Sequence, residues 1–151
     1  LPPRAVRYSS LGRLENELEA KFSLQFCLSI LALRRRAGTQ EFTDEVVRSP
    51  EVREMMKRVK TYHSPEIEAK GSERMRSLVE IKLKDGRTLS REAETSRGTP
   101  ERPMGRGGMA AKFTDCAHAT LTETQVKTAL ETIYRAEDLA SVSELLAPVV
   151  G

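Results

Sequence analysis

Val79-Glu80-Ile81-Lys82-Leu83-Lys84-Asp85-Gly86-Arg87-Thr88-Leu89 decides how the rest of the chain is read. Val79, Ile81 and Leu83 alternate with Glu80 and Lys82, the period of a half-buried strand. Asp85-Gly86 marks a turn, and Thr88 to Ala93 form the returning strand. A two-residue loop would set Leu89 opposite Lys82, on the wrong face. A three-residue loop, Lys84-Asp85-Gly86 with a left-handed Gly86, pairs Ile81 with Leu89 and keeps the apolar faces in phase. The hairpin at about 77–93 is therefore expected to be an antiparallel sheet, and everything around it carries helical periodicity. Strands clustered among helices, with no alternation of strand and helix, make an α+β fold: a small antiparallel sheet packed against several helices.

Upstream, residues 1–13 lack periodicity and read as a lead-in. From Leu14 the residues Leu14, Leu18, Phe22, Phe26 and Ile30 recur at i+4, and Leu24, Cys27, Leu28 and Leu31 widen the apolar face. That predicts one long helix, buried on most sides. Arg34-Arg35-Arg36 would close it as a solvated, dipole-favoured end, with Gly38 as the C-cap. Ser49-Pro50-Glu51 reads as a capped helix start, followed by Val52, Met55, Met56 and Val59 as core. Residues 60–69 have some character of an edge strand, weakened by Pro65. Downstream, residues 94–108 hold four Gly, two Pro and three Arg and read as a long irregular loop. Helical periodicity resumes through Met109, Phe113, Cys116 and Ala117. Thr122 to Gln125 form a capping box ahead of Val126, Ala129, Leu130, Ile133 and Tyr134. A last helix carries Leu139, Val142, Leu145 and Leu146 and stops at Pro148.

The composition excludes several function classes. The chain has 151 residues, 38% hydrophobic and 31% charged, with a net charge of +3. Its length fits one domain, residues 1–151, and the charge excess is small for a dedicated nucleic-acid binder. The apolar run from Phe26 to Leu33 is far too short to span a membrane. No signal-peptide pattern opens the chain, and a first residue of Leu reads as a processed product or a fragment. Cys27 and Cys116 sit in apolar helical patterns and read as small core residues, with nothing that calls for a disulfide. His63 and His118 have no ligand-spaced companions, so no metal site is expected, and no Ser or Cys triad is visible.

The stretch that looks functional is Gly98-Thr99-Pro100-Glu101-Arg102-Pro103-Met104-Gly105-Arg106-Gly107-Gly108. It is cationic and precedes a helix N-terminus, where free backbone N–H groups attract anions. It lacks the Lys-Ser or Lys-Thr of a phosphate-binding loop, and its single Arg-Gly-Gly has no aromatic interleaving. The residues alone favour a mobile connector; as a binding loop it would suit a carboxylate or phosphate.

Two segments together resemble a known family. Glu19-Ala20-Lys21-Phe22-Ser23-Leu24-Gln25-Phe26 is similar to the E-A-K-F-S-x-Q-[YF] signature in the C-terminal part of the MmgE/PrpD family, the 2-methylcitrate dehydratase-like lyases. Asp85-Gly86-Arg87, Gly98-x-Pro100, Pro103-Met104 and Lys112-Phe113 follow the family's D-G-x, G-x-P-x-x-P-[ML] and K-F pattern in order and spacing. The resemblance covers roughly residues 7–147, with Ser49-Pro50-Glu51-Val52 between the segments.

What the resemblance implies is part of an enzyme. Family members carry a large helical domain followed by a smaller α+β lid, with the active site between them, and they form dimers. They act on small polycarboxylates without metal or organic cofactor, through His, Asp and Lys groups found mostly in the helical domain. The present chain resembles a partial lid, over residues 14–147, lacking the Lys-containing segment that opens it. No catalytic residue is therefore assigned. Lys21 and Lys112 match recurring lysines, and Phe26 matches a position where Tyr often lies near substrate; phenylalanine cannot donate a hydrogen bond. Arg97, Arg102 and Arg106 complete the candidate substrate-binding set, by charge and position. Gly105, Gly107 and Gly108 stand where the family has a capping Ser or Thr and acids, so the following helix is expected to start late or fray. The expectation is a cytoplasmic lyase lid, inactive alone, that meets a small carboxylate together with a helical domain, as a homodimer, with no membrane partner. Nucleic acid is disfavoured. The alternative is a stand-alone interaction module that kept the fold without the chemistry.

Overall fold

The computed structural model describes residues 14–150; the lead-in at 1–13 lies outside the described residues. The chain forms two compact units that divide between Ser64 and Pro65. The first holds α1 (Glu17–Lys21), α2 (Leu24–Arg34), a 3-10 turn (Thr39–Glu41), α3 (Asp44–Arg48) and α4 (Pro50–Arg58). The second holds α5 (Pro65–Glu68), β1 (Ser77–Lys82), β2 (Thr88–Ala93), α6 (Arg106–Ala117), α7 (Glu123–Ile133), a 3-10 turn (Ala136–Asp138) and α8 (Val142–Leu146). The class is α+β, and no helix among the described residues is long and apolar enough to cross a membrane.

The expected long helix is broken into α1 and α2. Ser23 is buried and extended, and its hydroxyl accepts the Phe26 N–H at 3.2 Å, so a new helix starts there. The break reassigns the apolar stripe. Leu14, Ala20, Phe26 and Ile30 join Val47 and Val52 in one core, with Leu33, Phe42, Val46 and Met56 packed against it. Leu18, Phe22, Leu24 and Leu31 face outward, Leu18 and Phe22 with 62% and 57% of their surface exposed. An i+4 stripe drawn through an unbroken helix cannot anticipate that turn of the backbone.

The end of α2 also departs from expectation. Arg35, at φ 60°, takes the left-handed capping position, and Gly38 instead opens the 3-10 turn. Glu41 fixes this corner: its buried carboxylate accepts the Gly38 N–H at 2.8 Å and pairs with Arg36 Nε at 2.9 Å. α4 begins at Pro50 as read, with Val52 buried and the two methionines half-buried. Its Ser49 hydroxyl does not cap it but donates back to the Val46 carbonyl at 2.8 Å, closing α3.

In the second unit the hairpin has the expected register, Ile81 opposite Leu89 and Lys82 opposite Thr88. Gly86 is left-handed at φ +86°, and Asp85 clips the turn by accepting the Arg87 backbone N–H at 3.0 Å and its Nε at 2.8 Å. These bonds, the backbone one first, hold the Asp85 carboxyl below the usual carboxylate range. The expected half-burial is not found across the strands: Ile81 and Leu89 remain 50% and 51% exposed, and only Val79 and Leu83 are half-buried. The alternation is intact, but among the described residues nothing covers the face it builds. Residues 60–69 contain α5 rather than a strand, as Pro65 suits a helix start.

α6 starts at Arg106 and takes in Gly107 and Gly108, so it neither starts late nor waits for Met109. α7 has its capping box, with the Gln125 N–H on the Thr122 hydroxyl at 3.3 Å and the Thr122 N–H on the Gln125 side chain at 3.0 Å. It buries Val126 and Ala129 and lies against α6 and α8. Cys116 is exposed rather than in a core, because the α6 face it occupies is not packed; Cys27 is half-buried.

Three consequences are measurable. Ser23→Ala removes a helix cap and is expected to cost about 1 kcal/mol in urea unfolding. Gly107→Ala meets open space in a helical position and should stabilise by roughly 0.5–1 kcal/mol. Burial pushes the Cys27 thiol above its ordinary value, so it holds less thiolate at pH 8, and iodoacetamide should modify Cys116 well before Cys27.

Candidate functional site

The cationic loop is built rather than slack. Gly98 sits at φ +92°, and its N–H donates to the Arg102 carbonyl at 2.8 Å while the Arg102 N–H returns to the Thr99 carbonyl at 3.0 Å. Pro100 and Pro103 restrict the same stretch. The Thr99 hydroxyl donates to the Ser96 carbonyl at 3.2 Å, tying the turn to its approach. Met104 packs between the glycines: its side chain lies 3.9 Å from where a Cβ on Gly98 would stand and 3.7 Å from the equivalent point on Gly108. The loop thus folds back onto the first turn of α6.

At that turn the backbone is chemically open. Gly105 is the N-cap and supplies no side-chain bond to the helix, so the N–H groups of the first turn keep their partial positive charge. Arg97 lies beside them, with a guanidinium nitrogen 3.9 Å from the point where a Gly108 Cβ would be. Lys112 is one turn further on the Gly108 side of the helix, and a helical side chain leans toward the N-terminus, back along the same surface. Arg106, the first helical residue, is held by α7's end: its guanidinium stacks on the Tyr134 ring, 4.2 Å from the centroid, and the Tyr134 hydroxyl donates to the Arg106 carbonyl at 2.9 Å.

Among the described residues Arg97, Arg102, Arg106 and Lys112 form no ion pair. The acid within the loop is otherwise engaged: Glu101 is held below its ordinary range chiefly by a backbone N–H of its own residue, with the charge of Arg74 acting in the same direction. This arrangement suits an anion with planar, multiply accepting oxygens. Tyr134 was not recognisable as part of it from sequence, where its i+8 place on α7 reads as core.

Lys21 and Phe26 belong to the first unit. Lys21 is exposed and pairs with Glu17 at 3.2 Å. Phe26 is 0% exposed, its ring centroid 5.3 Å from that of Phe42. Much of the family signature is explained by folding alone: Ala20 and Phe26 are core, Ser23 is a cap, and Asp85-Gly86-Arg87 is a clipped turn.

The MmgE/PrpD C-terminal domain matches residues 1–137, more than half of the chain. The chain belongs to this family. It is also similar to the cis-aconitate decarboxylase of Mus musculus, 27% identical over 146 residues, which is 97% of this chain and 30% of the mouse protein. The chain therefore spans just under a third of the length of that relative. Among the described residues, the head of α6 brings Arg97 beside Gly108 and holds Arg106 against Tyr134, next to a first turn with no side-chain cap. If anion binding draws on it, Gly108→Asp, which sets a carboxylate beside Arg97, should abolish any citrate-induced shift of the 106–108 amides in an NMR titration while leaving the hairpin signals in place.

Proposed function

We propose that this chain is the lid of an MmgE/PrpD-type lyase acting on a small polycarboxylate, and that it is inactive without a helical domain. The family match and the likeness to a cis-aconitate decarboxylase support the reaction class. The observation that carries the binding role is the uncapped first turn of α6 with Arg97 laid against Gly108. In this reading Arg97, Arg102, Arg106 and Lys112 take the substrate's carboxylates, while a separate helical domain supplies the acids and bases. Closing the lid excludes water and sets fixed positive charge beside a carboxylate whose neighbouring carbon loses a proton, the moment at which negative charge grows. Lys21, engaged with Glu17, and Phe26, sealed in the core, serve this reading as supports of the first unit rather than as proton carriers. Both cysteines are unbridged, which fits the reducing cytoplasm.

A second reading draws on a different observation. Leu18, Phe22, Leu24 and Leu31 are exposed on the first unit, and a surface of that kind suits a protein partner or a second copy. An interaction module of this sort would need no carboxylate site.

Calorimetric titration with cis-aconitate or citrate at fixed ionic strength separates the two. The lid reading expects saturable binding by the wild type, weakened roughly three- to ten-fold by Arg97→Gln or Lys112→Gln, each of which removes one charge-assisted contact. It also expects no turnover by the chain alone. Absence of binding together with a stable dimer in sedimentation would overturn it in favour of the interaction module.

A further inference from the structure

We infer that Tyr134 is the positioning residue for Arg106, presenting the edge of its guanidinium to a carboxylate. The inference rests on the carboxylate-site reading above and extends it to a residue outside the loop. Tyr134 holds Arg106 at two points that a packing contact alone would not combine. Its ring takes one face of the guanidinium at 4.2 Å, and its hydroxyl donates to the Arg106 main-chain carbonyl at 2.9 Å. One side chain therefore fixes both the backbone from which Arg106 springs and the plane in which its guanidinium lies.

The chemistry of that arrangement is specific. An aromatic ring occupies the face of a guanidinium and leaves its in-plane N–H donors available. Those donors form the fork that matches the two oxygens of a carboxylate. Arg106 makes no competing ion pair among the described residues. An unheld arginine on a glycine-flanked backbone would have to surrender side-chain freedom on each binding event, whereas a stacked one has already lost much of it. Among the described residues no aromatic ring stacks on Arg97 or Arg102, so of the three loop arginines this device belongs to Arg106.

The test uses the full chain and four variants, with citrate as the probe. Each is titrated by calorimetry, and the Arg106 side-chain Nε–H resonance is followed in the free protein. Ring stacking should shift that resonance in the wild type; Tyr134→Phe keeps the ring and the shift, and Tyr134→Leu loses it. Citrate affinity should fall roughly two- to five-fold in Tyr134→Leu, the size of an exposed cation–π contact, and recover most of the loss in Tyr134→Phe. Arg106→Lys should bind as weakly as Arg106→Gln, because an ammonium cannot offer the fork. A wild type that ignores citrate would overturn the carboxylate-site reading and this inference together. Binding that is lost in Arg106→Gln but untouched in Tyr134→Leu would overturn the positioning role and leave the site standing.

Discussion

A helix that opens with Gly105, Arg106, Gly107 and Gly108 has no side chain of its own to cap its first turn. Each helical glycine works against it by up to about 1 kcal/mol relative to alanine. The turn forms because it is held from outside, by Met104 packed on Gly108 from the loop and by Tyr134 reaching from the end of α7. The same absence that makes the turn weak makes it open: backbone N–H groups that a Ser, Thr or Asp would have occupied are left facing a cationic loop. On the proposed reading, the openness that would serve a carboxylate and the weakness of the turn have one cause.

The first unit shows the opposite economy. Its core is assembled around the break at Ser23, which rotates Phe26 and Ile30 inward to meet Val47 and Val52. Glu41 closes the far end by satisfying both Gly38 and Arg36. What that packing leaves outside, Leu18, Phe22, Leu24 and Leu31, is matched in the second unit by the uncovered faces of Ile81 and Leu89.

Local order was legible in the sequence and tertiary packing was not. The hairpin register followed from one counting argument, because the side-chain period of a strand leaves only one loop length that keeps Ile81 and Leu89 together. The capping box at Thr122 and the start at Pro50 are equally local and equally readable. The helix break was hidden because Ser23 lies within an i+4 stripe that continues on both sides of it, and the strength of the stripe outweighed a single capping residue. The cap at Arg35 was hidden because Gly38 is the more usual occupant of a left-handed position. At the site, the three arginines and Lys112 were visible as charge. Their division between the Gly108 side and the Tyr134 ring was not, since it depends on where α7 ends.

Backbone amide shifts test most directly the proposed meeting of a carboxylate with the head of α6. In a citrate titration of the whole chain at constant ionic strength, the account predicts that the amides of Arg106, Gly107 and Gly108 move first and furthest, with Arg97 and Lys112 following. Shifts spread evenly over other cationic surfaces such as Arg34 to Arg36, or no saturable shift at all, would contradict it.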